Sequence, residues 1–96
     1  MPLKDNEPKE WEYDCPTPEG TILLNCRFIR SSNVKWIGWP RTVVQSPLLF
    51  VEFNDGSRYV YLDVTRQQAV AAAYAESTGK YIAEHIIGKK TYHRLR

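Results

Sequence analysis

The residues of this chain with the most versatile chemistry are two cysteines and two histidines. Cys15, Cys26, His85 and His93 are enough for a four-ligand zinc site, but no pair has the C-x2-4-C or H-x3-5-H spacing that structural zinc sites favour. A nucleophilic site needs a serine or cysteine beside a histidine and an orienting acid, and both histidines lie near the C-terminus. The sequence therefore predicts two free thiols, no metal, no cofactor and no enzymatic activity.

Two tyrosines suggest binding instead. Tyr59 and Tyr61 stand two positions apart in SRYVYLDV, residues 57–64, and strand side chains alternate between faces, so their rings share one face. Such rings either pack as a second apolar layer, since aromatic residues suit strands, or stack the bases of single-stranded RNA. Both interpretations stay open at this point.

Charge supports an anionic partner. The net charge is +2, but residues 1–20 carry two lysines against six acidic residues, whereas the remaining 76 residues carry 11 basic and 5 acidic side chains. A basic body of this kind suits RNA or another polyanion. The candidate phosphate-binding residues near the tyrosines or in the tail are Arg58, Lys35, Lys89, Lys90, Arg94 and Arg96.

The first 20 residues differ from the rest and are predicted to form an extended acidic N-terminal arm before a single domain over residues 21–96. The arm holds four of the six prolines, yet it also carries Trp11 and Tyr13. Together with Trp36 and Trp39 these are candidate anchors for a protein neighbour or a second copy of the chain. The alternative function is therefore a bacterial or phage structural protein, a virion component that docks a neighbour through the arm.

The body is predicted to be α+β, with a small antiparallel sheet of three to four strands followed by two C-terminal helices packed on one face. Strands are expected at 21–29, 34–39, 48–53 and 58–62, and Asp55-Gly56 is a strong hairpin signal. A two-residue loop there pairs Val51 with Val60 and groups Leu49, Val51 and Phe53 with Val60 and Leu62. The tyrosines would then share the other face with Phe50 and Glu52. A three-residue bulged turn would instead pair Val51 with Tyr59.

The helices are expected over residues 66–77 and 80–87. Thr65 and Gln68 have capping-box spacing at the start of the first. Gly79 can end the first helix in a left-handed turn, and Gly88 can end the second. No apolar run approaches the roughly 20 residues of a membrane span, and MPLKDNEPKE lacks the apolar region of a secretory signal. The expected location is the cytoplasm, or the host cytoplasm or phage particle if the chain is phage-encoded.

Three segments, SSNVKWIGW, LLFVEFNDGSRYVYLDV and AESTGKYIAEHIIGKKTYHRL, resemble successive blocks of the KTSC domain. This module occurs alone in bacterial and phage proteins and at the C-terminus of some lysyl-tRNA synthetases. The matching positions are Tyr59, Tyr61, Ser77, Gly79, Tyr81 and Tyr92. The resemblance, over about residues 28–96, implies a small α+β domain, the RNA binding proposed for the family, and no catalytic residues. Gly38-Trp39-Pro40, Ile82 and Ala83 depart from the family pattern.

Overall fold

Six antiparallel strands and two helices make up the chain in a computed structural model, which describes residues 10–18, 20–29, 31–42 and 47–96. Each strand pairs with its neighbours in chain order, so the sheet is a meander. The elements are β1 (Glu10–Thr17), β2 (Gly20–Phe28), β3 (Val34–Pro40), β4 (Leu48–Phe53), β5 (Arg58–Leu62), α1 (Arg66–Ala73), α2 (Thr78–His85) and β6 (Tyr92–Arg94).

The predicted α+β class, with an antiparallel sheet and two helices, is confirmed, but the prediction of three to four strands is wrong. The two additional strands come from segments with weak strand signals. β1 lies within the segment predicted as an arm and contains Pro16, which an edge strand tolerates because its amide need not pair. β6 has only three residues, too few to show an alternating pattern, and pairs with β5.

The hairpin between β4 and β5 has a three-residue loop, so the predicted two-residue turn is wrong. The Phe53 amide donates to the Ser57 carbonyl at 2.9 Å, and the Gly56 amide donates to the Phe53 carbonyl at 2.9 Å. Gly56 has a φ of 90°, the left-handed conformation that glycine adopts without a Cβ penalty. Val51 consequently pairs with Tyr59, and Phe50 pairs with Val60.

This register reverses the predicted grouping of side chains, because a one-residue slip moves every side chain of a strand to the other face. Tyr59 and Tyr61 lie on the same face as Leu49, Val51 and Phe53. Val60 and Leu62 lie on the opposite face, with Phe50. The tyrosines therefore belong to the face that the helices cover, which we call the helix-covered face.

Both helices pack on that face, as predicted. The capping box is confirmed, since Gln68 N donates to Thr65 Oγ1 at 3.1 Å and Thr65 N donates to Gln68 Oε1 at 3.0 Å. Gly79 does not end α1, contrary to the prediction. It lies within α2, where a Cβ would stand 2.8 Å from Asn33 Oδ1, so glycine permits the close approach of the helix. Gly88, with a φ of 78°, follows α2 and has the expected left-handed conformation.

Two buried cores lie on opposite sides of the sheet. The first joins the helices to the helix-covered face through Val34, Ile37, Trp39, Leu49, Val51, Tyr61, Val64, Ala69, Ala72, Ala73, Ile82 and Ile86. The second is built from Cys15, Leu24, Cys26, Trp36, Phe50 and Val60 on what we call the helix-free face. In the described part of the chain, no helix is long and apolar enough to cross a membrane.

Curling of the sheet closes the helix-free face. Tyr13 of β1 accepts a hydrogen bond from Arg58 of β5 at 3.1 Å, although three strands lie between them in the sheet. Cys15 and Cys26 are fully enclosed free thiols at this core. Burial raises the pKa of the Cys15 thiol, and burial together with the neighbouring Cys15 raises the pKa of Cys26 to about 12. Both cysteines are thus inert packing residues in the folded chain.

Candidate functional site

An open groove of about 590 Å³ lies on the helix-covered face, beyond the end of α2. This volume is within the range of about 300–1,000 Å³ that ligand pockets occupy. The β4–β5 hairpin, the turn before β3, the chain after α2 and β6 all contribute to it. We call it the tyrosine groove, and it is lined by Ser32, Asn33, Phe53, Asn54, Asp55, Ser57, Tyr59, Tyr61, Ile87, Gly88 and Tyr92.

Four aromatic rings line the apolar part of the groove. The ring centroids of Phe53 and Tyr59 are 5.6 Å apart at 79°, those of Tyr59 and Tyr92 are 5.6 Å apart, and those of Tyr61 and Tyr92 are 5.9 Å apart. The first two pairs meet edge-on and the third is tilted, and edge-on contacts between aromatic rings are favourable. The rings therefore form a continuous apolar wall rather than isolated side chains.

The exposed fraction of the tyrosine side chains increases along this wall. Tyr61 is 5% exposed and Tyr92 is 56% exposed, while Tyr59 is half-buried between them. The pKa of the Tyr61 hydroxyl is raised, chiefly by burial and to a lesser extent by the nearby Tyr59 and Tyr92. The packing interpretation is thus confirmed for Tyr61, which belongs to the core, whereas Tyr59 shows part of its ring to the groove. Stacking of RNA bases on these rings stays a prediction. Tyr92 and Phe53 were not predicted as site residues, and only the place of Tyr92 in the family pattern signalled its role.

The rim of the groove is polar and internally braced. Asn54 Nδ2 donates to the Ser31 carbonyl at 3.1 Å, and Asn54 N donates to the Asn33 carbonyl at 2.8 Å, which ties the hairpin loop to the turn before β3. Asp55 Oδ1 accepts from Ser57 Oγ at 2.6 Å and from Ser57 N at 2.9 Å. These hydrogen bonds hold the Asp55 carboxyl pKa below its usual value. The rim therefore offers fixed amide and hydroxyl groups beside the rings.

Three of the predicted phosphate-binding residues are neighbours of groove residues, although none of the three lines the groove itself. The Arg94 guanidinium carbon lies 5.7 Å from the centroid of the Tyr59 ring. Lys89 and Lys90 directly follow the groove residue Gly88. Lys90 Nζ donates to the Asp63 carbonyl at 2.8 Å, and the Lys89 side chain is exposed. Positive charge thus accompanies the aromatic wall on the β6 side and at the α2 end.

The other three, Lys35, Arg58 and Arg96, converge on the carboxylate of Glu52, which points to the helix-free face. Glu52 Oε1 lies 2.8 Å from Arg58 Nη2 and 3.2 Å from Arg96 Nη2, and Glu52 Oε2 lies 3.6 Å from Lys35 Nζ. The Glu52 side chain is only 5% exposed, so this carboxylate is a buried acceptor shared by three cations. We call these four residues the Glu52 cluster.

Arg58 is the most enclosed cation of the Glu52 cluster. Its guanidinium carbon lies 5.1 Å from the centroid of the Trp36 ring and 5.5 Å from that of Tyr13. Burial acts to lower the Arg58 pKa, but its hydrogen bonds to Glu52 and Tyr13 outweigh burial and leave the pKa above its usual value. These contacts favour a structural role for Arg58, whereas Lys35 and Arg96 keep more than half of their side-chain surface exposed, at 54% and 63%.

The predicted protein-interaction residues pack within the chain itself. Trp11 stacks on Phe28 with ring centroids 4.3 Å apart and meets the edge of Trp36 at 5.7 Å. Tyr13 meets Trp36 edge-on at 6.0 Å. Trp39 is buried on the helix-covered face. Among the described residues, these four aromatic side chains thus serve the cores on the two faces of the sheet.

Neither histidine lines the groove. His85 stacks on Tyr81 with ring centroids 4.5 Å apart, and His93 is an exposed residue of β6. Over residues 10–18, 20–29, 31–42 and 47–96, no three histidine, cysteine, aspartate or glutamate side chains form a group that could hold a metal ion. The residues that line the groove offer aromatic rings, amide and hydroxyl groups and the Asp55 carboxylate.

Comparison with known proteins identifies the chain at the level of a family. The family model of the KTSC domain matches residues 30–92. No curated protein matches the sequence. Every residue that lines the tyrosine groove lies inside the matched segment. Trp11, Tyr13, Arg94 and Arg96 lie outside it.

Proposed function

Because this chain belongs to the KTSC domain family, we propose that it is a non-catalytic module that binds single-stranded RNA in the tyrosine groove. One observation carries the proposal. The partly exposed rings of Tyr59 and Tyr92 stand side by side, and the guanidinium of Arg94 lies over one of them. Aromatic rings that alternate with positive charge on a sheet are typical of surfaces that bind single-stranded nucleic acid.

Each part of the groove has a distinct role in this proposal. Tyr92 and Tyr59 stack bases, and Tyr61 supports them from within the core. Asn33 and Asn54 offer hydrogen-bonding groups to base edges, and their mutual contacts hold them in place before binding. Such preorganisation lowers the ordering cost of association.

Positive side chains around the groove would contact the phosphates. Arg94 stands beside the rings, and Lys89 with Lys90 stands at the α2 end. The alternative of an assembly protein has less support, because Trp11 and Tyr13 pack on Phe28 and Trp36 of their own sheet instead of extending away from it.

The test is a titration of a fluorescently labelled oligouridine with wild-type protein and with Tyr92→Ala. Loss of one stacking ring should weaken binding by about 1–3 kcal/mol, which is about 5- to 150-fold in affinity. Tyr74→Ala is the matched control, because Tyr74 is also 56% exposed but lies beyond α1, outside the groove. The control should bind like wild type. Undetectable wild-type binding at low salt, or equal loss in both variants, would contradict the proposal.

A further inference from the structure

The arginines of the C-terminal segment connect the tyrosine groove to the Glu52 cluster on the other side of the sheet. Arg94 lies over the Tyr59 ring, and its Nε donates to the Arg96 carbonyl at 3.3 Å. Arg96 Nε lies 3.4 Å from the Gly56 carbonyl of the hairpin loop, and its Nη2 reaches Glu52 at 3.2 Å. Arg96 thus reaches from the hairpin loop to the Glu52 carboxylate on the helix-free face.

The Glu52 cluster carries more positive than negative side-chain charge. One carboxylate serves Lys35, Arg58 and Arg96, so these four side chains together carry a net charge of +2. Arg58 is enclosed, with 14% of its side chain exposed, whereas Lys35 and Arg96 are 54% and 63% exposed. Lys35 and Arg96 therefore present the excess positive charge to solvent, and their contacts with Glu52 hold both side chains in place.

A surface of this kind suits phosphate groups spaced along a chain. Arg94, Arg96 and Lys35, which we call the edge track, run from the rings of the groove around the hairpin. Guanidinium and ammonium groups are the usual donors to phosphate oxygens. The acidic groove residue at this end, Asp55, already accepts two hydrogen bonds from Ser57, so its carboxylate is engaged within the loop.

We propose that the edge track binds phosphates, and that the backbone of a bound single strand leaves the tyrosine groove at the hairpin tip and follows Arg94, Arg96 and Lys35 to the helix-free face. The route rests on the proposed function, but phosphate binding at the track does not. The ligand of the edge track is the phosphodiester backbone. The track binds it through charge, so binding there does not depend on which bases the strand carries. The strand therefore wraps the edge of the sheet instead of lying on one face.

The first experiment uses tripolyphosphate as a probe that contains no base. Titration of the full chain, followed by NMR of backbone amides and arginine Nε–H groups, should shift the signals of Arg94, Arg96 and Lys35. The shifts should weaken in Lys35→Gln and Arg96→Gln and persist in Arg66→Gln, a control at the start of α1 outside the groove. Thermal unfolding of each variant checks that it is folded. Absence of shifts at the track overturns the proposal.

The second experiment measures oligouridine binding at several salt concentrations. Each lost phosphate contact should lower the slope of log affinity against log salt by about 0.7, so Lys35→Gln and Arg96→Gln should each show this decrease. Tyr92→Ala should weaken binding with an unchanged slope. RNA binding with wild-type slopes in both track variants would overturn the route and leave the proposed function standing. Tripolyphosphate binding at the track without any RNA binding would support the track and overturn the proposed function.

Discussion

The two faces of the sheet are both apolar, but they are closed in different ways. On the helix-covered face, the small residues Ala69 and Ala72 of α1 pack against the strands, as do the larger Ile82 of α2 and Ile86 directly after it. On the helix-free face, curling of the sheet brings β1 towards β5, so the strands cover one another. The helix-free face is therefore a core here, and its interior is not open to a ligand.

The comparison also explains where the groove arises. The helices are short, with eight residues each, and they cover only part of their face. Beyond the end of α2, the rings of Phe53, Tyr59 and Tyr92 remain partly uncovered. On the opposite face, the ring of Phe50 is 1% exposed. The candidate binding surface thus lies where helical cover stops.

The largest expected effect tests whether the helix-free face is a true core. Phe50→Ala should lower the free energy of unfolding by about 3–5 kcal/mol, because it removes a fully buried ring and leaves a cavity. Urea denaturation followed by tryptophan fluorescence measures this change. Leu23→Ala is the control, since Leu23 is 46% exposed and should change stability by less than about 0.5 kcal/mol. Similar small losses in both variants would refute a second core.

The next effect separates two tyrosines on the helix-covered face. Tyr61→Ala should cost about 3–5 kcal/mol of stability, as deletion of a large buried aromatic does. Tyr59→Ala should cost clearly less, because its ring is only half-buried, yet it should weaken oligouridine binding by about 1–3 kcal/mol. Denaturation and titration of the same two variants give both values. A stability loss for Tyr59→Ala as large as that for Tyr61→Ala would mean that both rings are core.

A smaller effect is expected at the hairpin that sets which residues share a face. Gly56→Val should destabilise the fold by about 1–3 kcal/mol, the usual cost of a side chain in an unfavourable backbone conformation. The cost is conformational, since a Cβ at Gly56 meets nothing within 4 Å. Asp55→Asn is the control and should cost less than Gly56→Val at pH 7, because an amide oxygen can accept the same hydrogen bonds from Ser57. Equal tolerance of both changes in thermal unfolding would argue against the bulged turn.

The smallest effect is a pH dependence from Asp55. Hydrogen bonds from Ser57 lower the pKa of Asp55 in the folded chain. The carboxylate therefore contributes to stability at pH values above its pKa in the unfolded chain, which is about 3.9. That contribution is lost as the pH falls through the lower pKa that Asp55 has in the folded chain. Urea midpoints of wild type and Asp55→Asn should therefore converge below about pH 4. A constant difference between the two proteins across this range would show that the carboxylate form is not the one stabilised.

Local signals predicted much of the fold. The four central strands, both helices and the capping box of Thr65 and Gln68 follow from alternation, alanine content and residue spacing. The edge strands did not follow, because the proline in β1 and the shortness of β6 obscure their patterns. For the site, the sequence singled out Tyr59, Tyr61 and the cations, but it could not distribute those cations between the groove and the Glu52 cluster.

The sequence by itself determined the α+β class, the helix-forming segments, a glycine at the hairpin and the family of the chain. Only the tertiary structure decided the pairing of Val51 with Tyr59, and hence the face on which the tyrosines lie. The physical reason is that one additional residue in the loop reverses every side chain of a strand, and packing on both faces selects the register. Likewise, Glu52 accepts a hydrogen bond from Arg96, which is 44 positions away in the sequence. No local sequence pattern encodes such a contact.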